Sequence, residues 1–232
     1  MTVFLVILAT SAALVIGALW GVRSGLTKKT EGFIVAMAGG ALIVSVMEEL
    51  IGPSLEVVSI AVPIASVLGG AVGFAALDAW VEERLSQSGG FGLLLAVTLD
   101  GVPENLALGS AMIGADALSV LTLAGSIFLS NLPEAAGGAK RMHEDGRSRV
   151  SVILLWGGVT VLLACAALLG FYGLSSAPDG VLATIKCVAA GAVLASLATE
   201  VFPKAYEVEA HWAGVAVAIG LILALCLSQV GA

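Results

Sequence analysis

Apolar runs of about 20 residues recur from one end of this chain to the other, and a run of that length matches the thickness of a bilayer core. Eight can be marked, at 3–21, 32–52, 57–80, 91–113, 118–139, 150–172, 181–203 and 210–230. Of the 232 residues, 59% are hydrophobic and 12% charged, about half the charged share of a soluble domain. Short alternating strands of the outer-membrane type are absent, which argues against an outer-membrane β-barrel. The expected fold is therefore all-α: a polytopic membrane protein of eight transmembrane helices, with residues 1–232 forming a single domain in a lipid bilayer. The 29 glycines suit close helix packing in lipid and permit a homodimer. A net charge of −7 argues against a nucleic-acid partner. Cys165, Cys187 and Cys226 fall inside apolar runs, as packing residues do. The first run lacks the basic flank of a signal peptide and is expected to be retained as a helix.

Basic residues set the orientation. Arg23, Lys28, Lys29, Arg84, Lys140, Arg141, Arg147, Arg149 and Lys204 belong to connectors on one side, and Lys186 alone belongs to the other. By the positive-inside rule the first side is cytoplasmic, so both termini are extracytoplasmic. Trp20, Trp80 and Trp212 fall at span ends on that same side, as an interfacial belt would place them, whereas Trp156 lies deeper. The short polar linker 82–90 joins the third and fourth spans, and the basic connector 140–149 joins the fifth and sixth. The composition of the connectors fits a prokaryotic inner membrane.

The residues that carry chemistry lie in spans 4 and 5. Span 4 holds Asp100-Gly101-Val102-Pro103-Glu104-Asn105, and span 5 holds Ser130-Asn131-Leu132-Pro133-Glu134-Ala135. Asp100 and Glu104 are four apart, as are Ser130 and Glu134, so each pair shares a helix face. A carboxylate at the centre of a membrane helix costs about 2.5–3.5 kcal/mol on insertion scales. Neither helix offers a lysine or arginine to compensate, so a bound cation or protons on the carboxylates must do so. Asp100, Glu104, Ser130, Asn131 and Glu134 supply only oxygen ligands. Pro103 and Pro133 each free a backbone carbonyl one turn earlier, and those carbonyls either help hold an ion or are satisfied by neighbouring groups. Asn105 continues the polar face as a packing neighbour. Met47 is a soft donor, though a methionine in an apolar helix more often packs. His143 and His211 fall in a loop and at a helix start, as solvated residues.

A second repeat spans most of the chain. Residues 40–50 read like residues 191–201 at a constant offset of 151, and the two segments cross the membrane in opposite directions. Spans 1–3 and 6–8 are thus expected to be inverted halves, with spans 4 and 5 between them, a pattern typical of secondary transporters with a midplane site. Glu49 and Glu200 occupy equivalent positions, one towards each mouth of such a path.

With its doubled Pro-Glu motif, its span 2 ending Glu48-Glu49-Leu50-Ile51 and its span 7 ending Glu200-Val201-Phe202-Pro203-Lys204, the chain resembles the ZIP (Zrt/Irt-like) family of divalent metal transporters. The likeness covers nearly the whole chain. It implies alternating access and a metal site built from spans 4 and 5 with help from spans 2 and 7. Carried across, Glu104 and Glu134 match the motif glutamates, Asn131 an amide or carboxylate ligand, and Glu200 the span-7 acid. Asp100 stands where the family usually has histidine, Ser130 where it often has histidine or glutamine, and Gly101 replaces an asparagine. Met47 lies near the span-2 position that can line the site.

The expected function is therefore transport of a divalent metal cation towards the cytoplasm. Asp100, Glu104, Ser130, Asn131, Glu134 and Glu200 form the metal site, with Met47, Glu49 and Asn105 along the pathway. The family implies Zn²⁺ as cargo. The all-oxygen set suits harder ions such as Mn²⁺, Fe²⁺, Mg²⁺ or Ca²⁺. Two rivals stand beside this: a ZIP-like protein that binds or senses metal without moving it, and a proton or monovalent-cation carrier using the same carboxylates. With no histidine in the membrane and no base beside Ser130, an enzyme is not expected.

Overall fold

The computed structural model describes residues 2–23, 27–85, 90–115 and 120–231. Residues 86–89 of the polar linker therefore lie outside the described residues. Among the described residues there is no strand, as the apolar runs required. The helices are α1 (Thr2–Gly21), α2 (Lys28–Ser45), α3 (Gly52–Val57), α4 (Ala61–Leu85), α5 (Gly90–Ala111), α6 (Leu121–Glu144), α7 (Arg149–Leu168), α8 (Asp179–Ser196) and α9 (Phe202–Gly231). Three π turns interrupt this order. Val46–Ile51 joins α2 to α3, Leu169–Gly173 extends α7, and Leu197–Val201 joins α8 to α9. A π turn inserts an extra residue into the helical ladder and rotates everything beyond it.

Side-chain caps start two of the helices. The Thr27 hydroxyl accepts from the Thr30 amide at 3.2 Å, and the Ser148 hydroxyl accepts from the Ser151 amide at 3.2 Å. Each satisfies one of the amides that a helix start leaves unpaired. Helix α6 ends where Gly146 turns to a φ of 91°, a conformation glycine adopts without steric cost. The basic connector expected at 140–149 is therefore helical as far as Glu144. Met142 within it is fully buried, and His143 sits half-buried in the last turn of α6 rather than in a loop.

Six stretches of the described residues are long and apolar enough to cross a membrane: 3–21, 28–57, 61–81, 149–173, 179–208 and 210–229. This is an integral membrane protein built of helices. Helix α9 is continuously helical from Phe202 to Gly231, yet it does not run straight. A side chain on Gly39 would meet Phe202, and one on Gly40, the next residue, would meet the Val217 carbonyl. Fifteen residues of straight helix would hold those two contacts about 22 Å apart, so α9 turns back on itself between them.

Helix α6 lies at the centre, touching α1, α2, α5, α7 and α9. Glycines set the closest helix pairs. Gly17 and Gly21 lay α1 on the α6 backbone, and Gly40 and Gly220 join α2 to the second half of α9. Gly70 and Gly191 join α4 to α8, while Gly109 and Gly170 join α5 to α7. At each contact a Cβ would fall on a backbone atom of the partner helix, the kind of approach that small residues permit in lipid. One apolar cluster fills the space among α2, α5, α6 and α8, with Leu42, Leu50, Leu108, Leu123, Ile127 and Leu197 at its centre. A second, around Leu14, Met142, Trp156 and Leu163, ties α1 and α6 to α7. By contrast α4 scarcely touches α5 among the described residues, and an apolar groove of about 660 Å³ opens between them, lined by Gly69, Gly73, Leu77, Leu95, Val102 and Leu106.

Candidate cation site

Helices α5 and α6 carry the doubled motif, and both remain helical through their internal prolines, Pro103 and Pro133. The motif side chains point inward. Asp100 is 6% exposed, Glu104 4%, Ser130 3%, Asn131 2% and Glu134 6%. On α6 the polar face is longer than the motif. Thr122, Ser126, Ser130 and Glu134 recur every four residues and all are buried, forming one stripe along that helix. Two of its hydroxyls donate within their own helix, Ser126 to the Thr122 carbonyl at 2.7 Å and Ser130 to the Ile127 carbonyl at 3.2 Å. Ser126 also lies 3.3 Å from the Ser45 hydroxyl of α2. The sequence reading caught only the lower half of this stripe, although the four-residue spacing was there to see.

The π turn that ends α8 brings a third element to the site. Glu200 lies in that turn, and Ser196 immediately precedes it. Both come close enough to Asp100 for hydrogen bonding. Even so, Asp100 Oδ1, Ser196 Oγ and Glu200 Oε1 are each buried without a well-formed hydrogen-bond partner. Buried polar atoms are ordinarily paired, so three orphaned oxygens on neighbouring side chains form a group short of a partner. Glu104 lies within reach of the charges of both Asp100 and Glu134. The structure thus brings four of the expected carboxylates, Asp100, Glu104, Glu134 and Glu200, into one neighbourhood. Among the described residues, no three His, Cys, Asp or Glu side chains converge as a ready-made metal-ligand cluster.

Three further expected positions stand apart. Asn105 is buried but turned back on its own helix, where its amide donates to the Gly101 carbonyl at 2.9 Å. Met47 is 49% exposed. Glu49 has Glu48 and Lys186 as its charged neighbours and none of the other site carboxylates.

One expectation needs correcting. Neither α5 nor the stretch 121–139 of α6 holds a basic residue, but a counter-charge arrives from elsewhere. Lys204, read from the sequence as a connector residue, lies in α9, one turn beyond Glu200, and its Nζ stands 4.0 Å from Glu134 Oε1. A cation or a proton is thus not the sole means of balancing the carboxylates. Next along the same side, Glu31 of α2 is buried, and its carboxylate lies on the α6 backbone at Gly137. Arg141 pairs with Glu31 at 3.6 Å. Ser196, Lys204, Glu31 and Asp78 of α4, whose charge reaches Glu200, are the site residues that motif spacing missed.

No family model and no curated protein matches the chain in sequence.

Proposed function

We propose that this protein carries a divalent metal cation across the membrane by alternating access, towards the cytoplasm. The observation that carries this is the trio of buried, unpartnered oxygens on Asp100, Ser196 and Glu200, set beside Glu104 and Glu134. Burying unpaired carboxylate oxygen costs several kcal/mol on the order of a lost hydrogen bond or more, and a hard cation that takes oxygen ligands relieves that cost. Asp100, Glu104, Glu134 and Glu200 are assigned as ligands, with Asn131 and the Ser130 hydroxyl beside them. The donor set is all oxygen, which favours Mn²⁺, Mg²⁺ or Fe²⁺ over a histidine-loving Zn²⁺.

The architecture supports transport in the manner of the ZIP proteins that the sequence resembles. Counting α5 and α6 with the six apolar stretches gives eight spans, the positive-inside rule then placing both termini outside. The contacts of the two halves correspond. Gly40 meets Val217 as Gly191 meets Val67, and Met37 meets Gly220 as Val188 meets Gly70, at offsets of 150 and 151 residues. The π turns beginning at Val46 and Leu197 obey the same offset. An inverted repeat of this kind, flanking two polar helices, suits a midplane site opened to each side in turn.

A second reading draws on Lys204. An internal ammonium beside Glu134 lowers the net negative charge of the site and so favours a singly charged cargo, a proton or a monovalent cation. Flux into proteoliposomes decides between them. With Zn²⁺, Mn²⁺, Fe²⁺, Mg²⁺ and Ca²⁺ offered in turn, the proposal expects divalent uptake that Glu104→Ala and Glu134→Ala both abolish. Proton or Na⁺ flux insensitive to divalent ions would select the second reading. Absence of any flux in folded, inserted protein would leave a metal-binding or sensing role.

A further inference from the structure

We propose that the Lys204 ammonium is a built-in counter-cation that holds the place of one bound metal ion at this site. The proposal deepens the reading of the carboxylate cluster as a cation site. Four buried or half-buried carboxylates, Asp100, Glu104, Glu134 and Glu200, share the neighbourhood. Lys204 is the lysine in contact with it, 4.0 Å from Glu134 and within reach of the Asp100 charge. Its side chain is 29% exposed, whereas that of Glu134 is 8% exposed, so the head is drawn inward onto an enclosed partner.

Helix geometry explains how it gets there. Glu200 and Lys204 are four residues apart and share one face. The π turn and the start of α9 thus lay an acid against Asp100 and a base against Glu134. An ammonium has three donors and no acceptor. It therefore competes with a metal ion for the same carboxylate lone pairs, supplying charge without offering any ligand in return. The arrangement is also one-sided. The position matching Lys204 in the other half of the chain, 151 residues earlier, is Pro53, which carries no charge. Glu134 is thus satisfied by a tethered cation, while Asp100 and Glu200 keep unpartnered oxygens. Metal enters on the Asp100–Glu200 side, with Glu134 offering it only the carboxylate oxygen that Lys204 leaves free, and a second ion is excluded beside Glu134.

Equilibrium dialysis of the full chain in detergent against Mn²⁺ tests this, with wild type beside Lys204→Met, Lys204→Arg and Lys204→Met/Glu134→Gln. The expected result is one additional Mn²⁺ per chain in Lys204→Met, none in Lys204→Arg, and loss of the additional ion in the double variant. Lys204→Gln repeats the measurement should the methionine variant lose its helical circular dichroism or its monodisperse elution. A folded Lys204→Met or Lys204→Gln that binds no more Mn²⁺ than wild type overturns the proposal. Mn²⁺ flux by wild type, measured in parallel, judges transport separately. An additional ion without wild-type flux keeps the lysine assignment and removes the transporter, and flux without an additional ion does the reverse. No Mn²⁺ bound by any of the proteins overturns both.

Discussion

Replacing Gly70 and Gly73 by alanine, one at a time, isolates the packing of α4 on α8. Both glycines lie in one helix, three residues apart. A Cβ on Gly70 would fall on the Val188 carbonyl oxygen, 2.8 Å from its carbon, while one on Gly73 meets nothing within 4 Å. The helix-propensity gain of glycine to alanine, about 0.5–1 kcal/mol, is the same for both and cancels in the comparison. What remains is the cost of forcing α4 away from α8 by about an ångström, and overpacking of that kind costs about 1–3 kcal/mol. The penalty is not local, because parting the helices also opens the reciprocal contact of Gly191 with Val67. Gly73→Ala should therefore be neutral or slightly stabilising, and Gly70→Ala less stable than it by about 1–3 kcal/mol. Equilibrium unfolding of purified protein in mixed micelles would measure this, followed by the fluorescence of Trp156, which is fully buried. Equal stabilities for the two variants would refute the α4–α8 contact and, with it, the pairing of Gly191 with Val67.

Three other outcomes follow from the site. Ser196→Ala removes an unpartnered buried hydroxyl, so thermal unfolding should show no loss of stability, while the apparent KM for divalent uptake rises several-fold; a lowered midpoint would mean that the hydroxyl has a structural partner after all. Asn105→Ala should cost about 1 kcal/mol, the worth of an ordinary hydrogen bond, and leave KM within about twofold, since that amide serves its own helix; a loss of flux as deep as that of Glu104→Gln would place Asn105 on the ion path. Gly137→Ala puts its methyl on the Glu31 carboxylate, the movable end of a side chain, so it should cost no more than about 1 kcal/mol, and Arg141→Met, removing a partner whose side chain is 41% exposed, should likewise cost no more than about 1 kcal/mol. A thermal melt in which Gly137→Ala loses as much stability as Gly70→Ala would mean that Glu31 cannot give way.

The helical membrane architecture was legible because hydrophobic run length is a property of the chain alone. The burial of Asp100, Glu104, Ser130, Asn131 and Glu134 was legible for a related reason: four-residue spacing puts polar groups on one face, and a repeated motif rarely arises by chance. What the sequence hid are contacts between elements distant along the chain. Lys204 looked like a topology signal because its neighbours include Glu207 and Glu209, and only the course of the chain through the π turn brings it to Glu134. Ser196 looked like one small residue among many in an alanine-rich helix. Glu31 sits close to Lys28 and Lys29, in what reads as a polar connector, yet α2 begins early enough to bury it. The π turns themselves left no compositional mark, since no glycine or proline is needed to add one residue to a helical turn.

The glycine contacts also divide the molecule mechanically. Helices that meet backbone on backbone leave little slack between them, because close-packed surfaces shift between discrete arrangements and do not deform smoothly. The pairs α1 with α6, α2 with α9, α4 with α8 and α5 with α7 are stiff in this sense. The border between α4 and α5 is not, having few contacts and a wide apolar groove. Stiffness is thus distributed unevenly: α5 and its carboxylates are anchored from the α7 side and yield towards α4. Pro103, one residue from Glu104, lines that looser border.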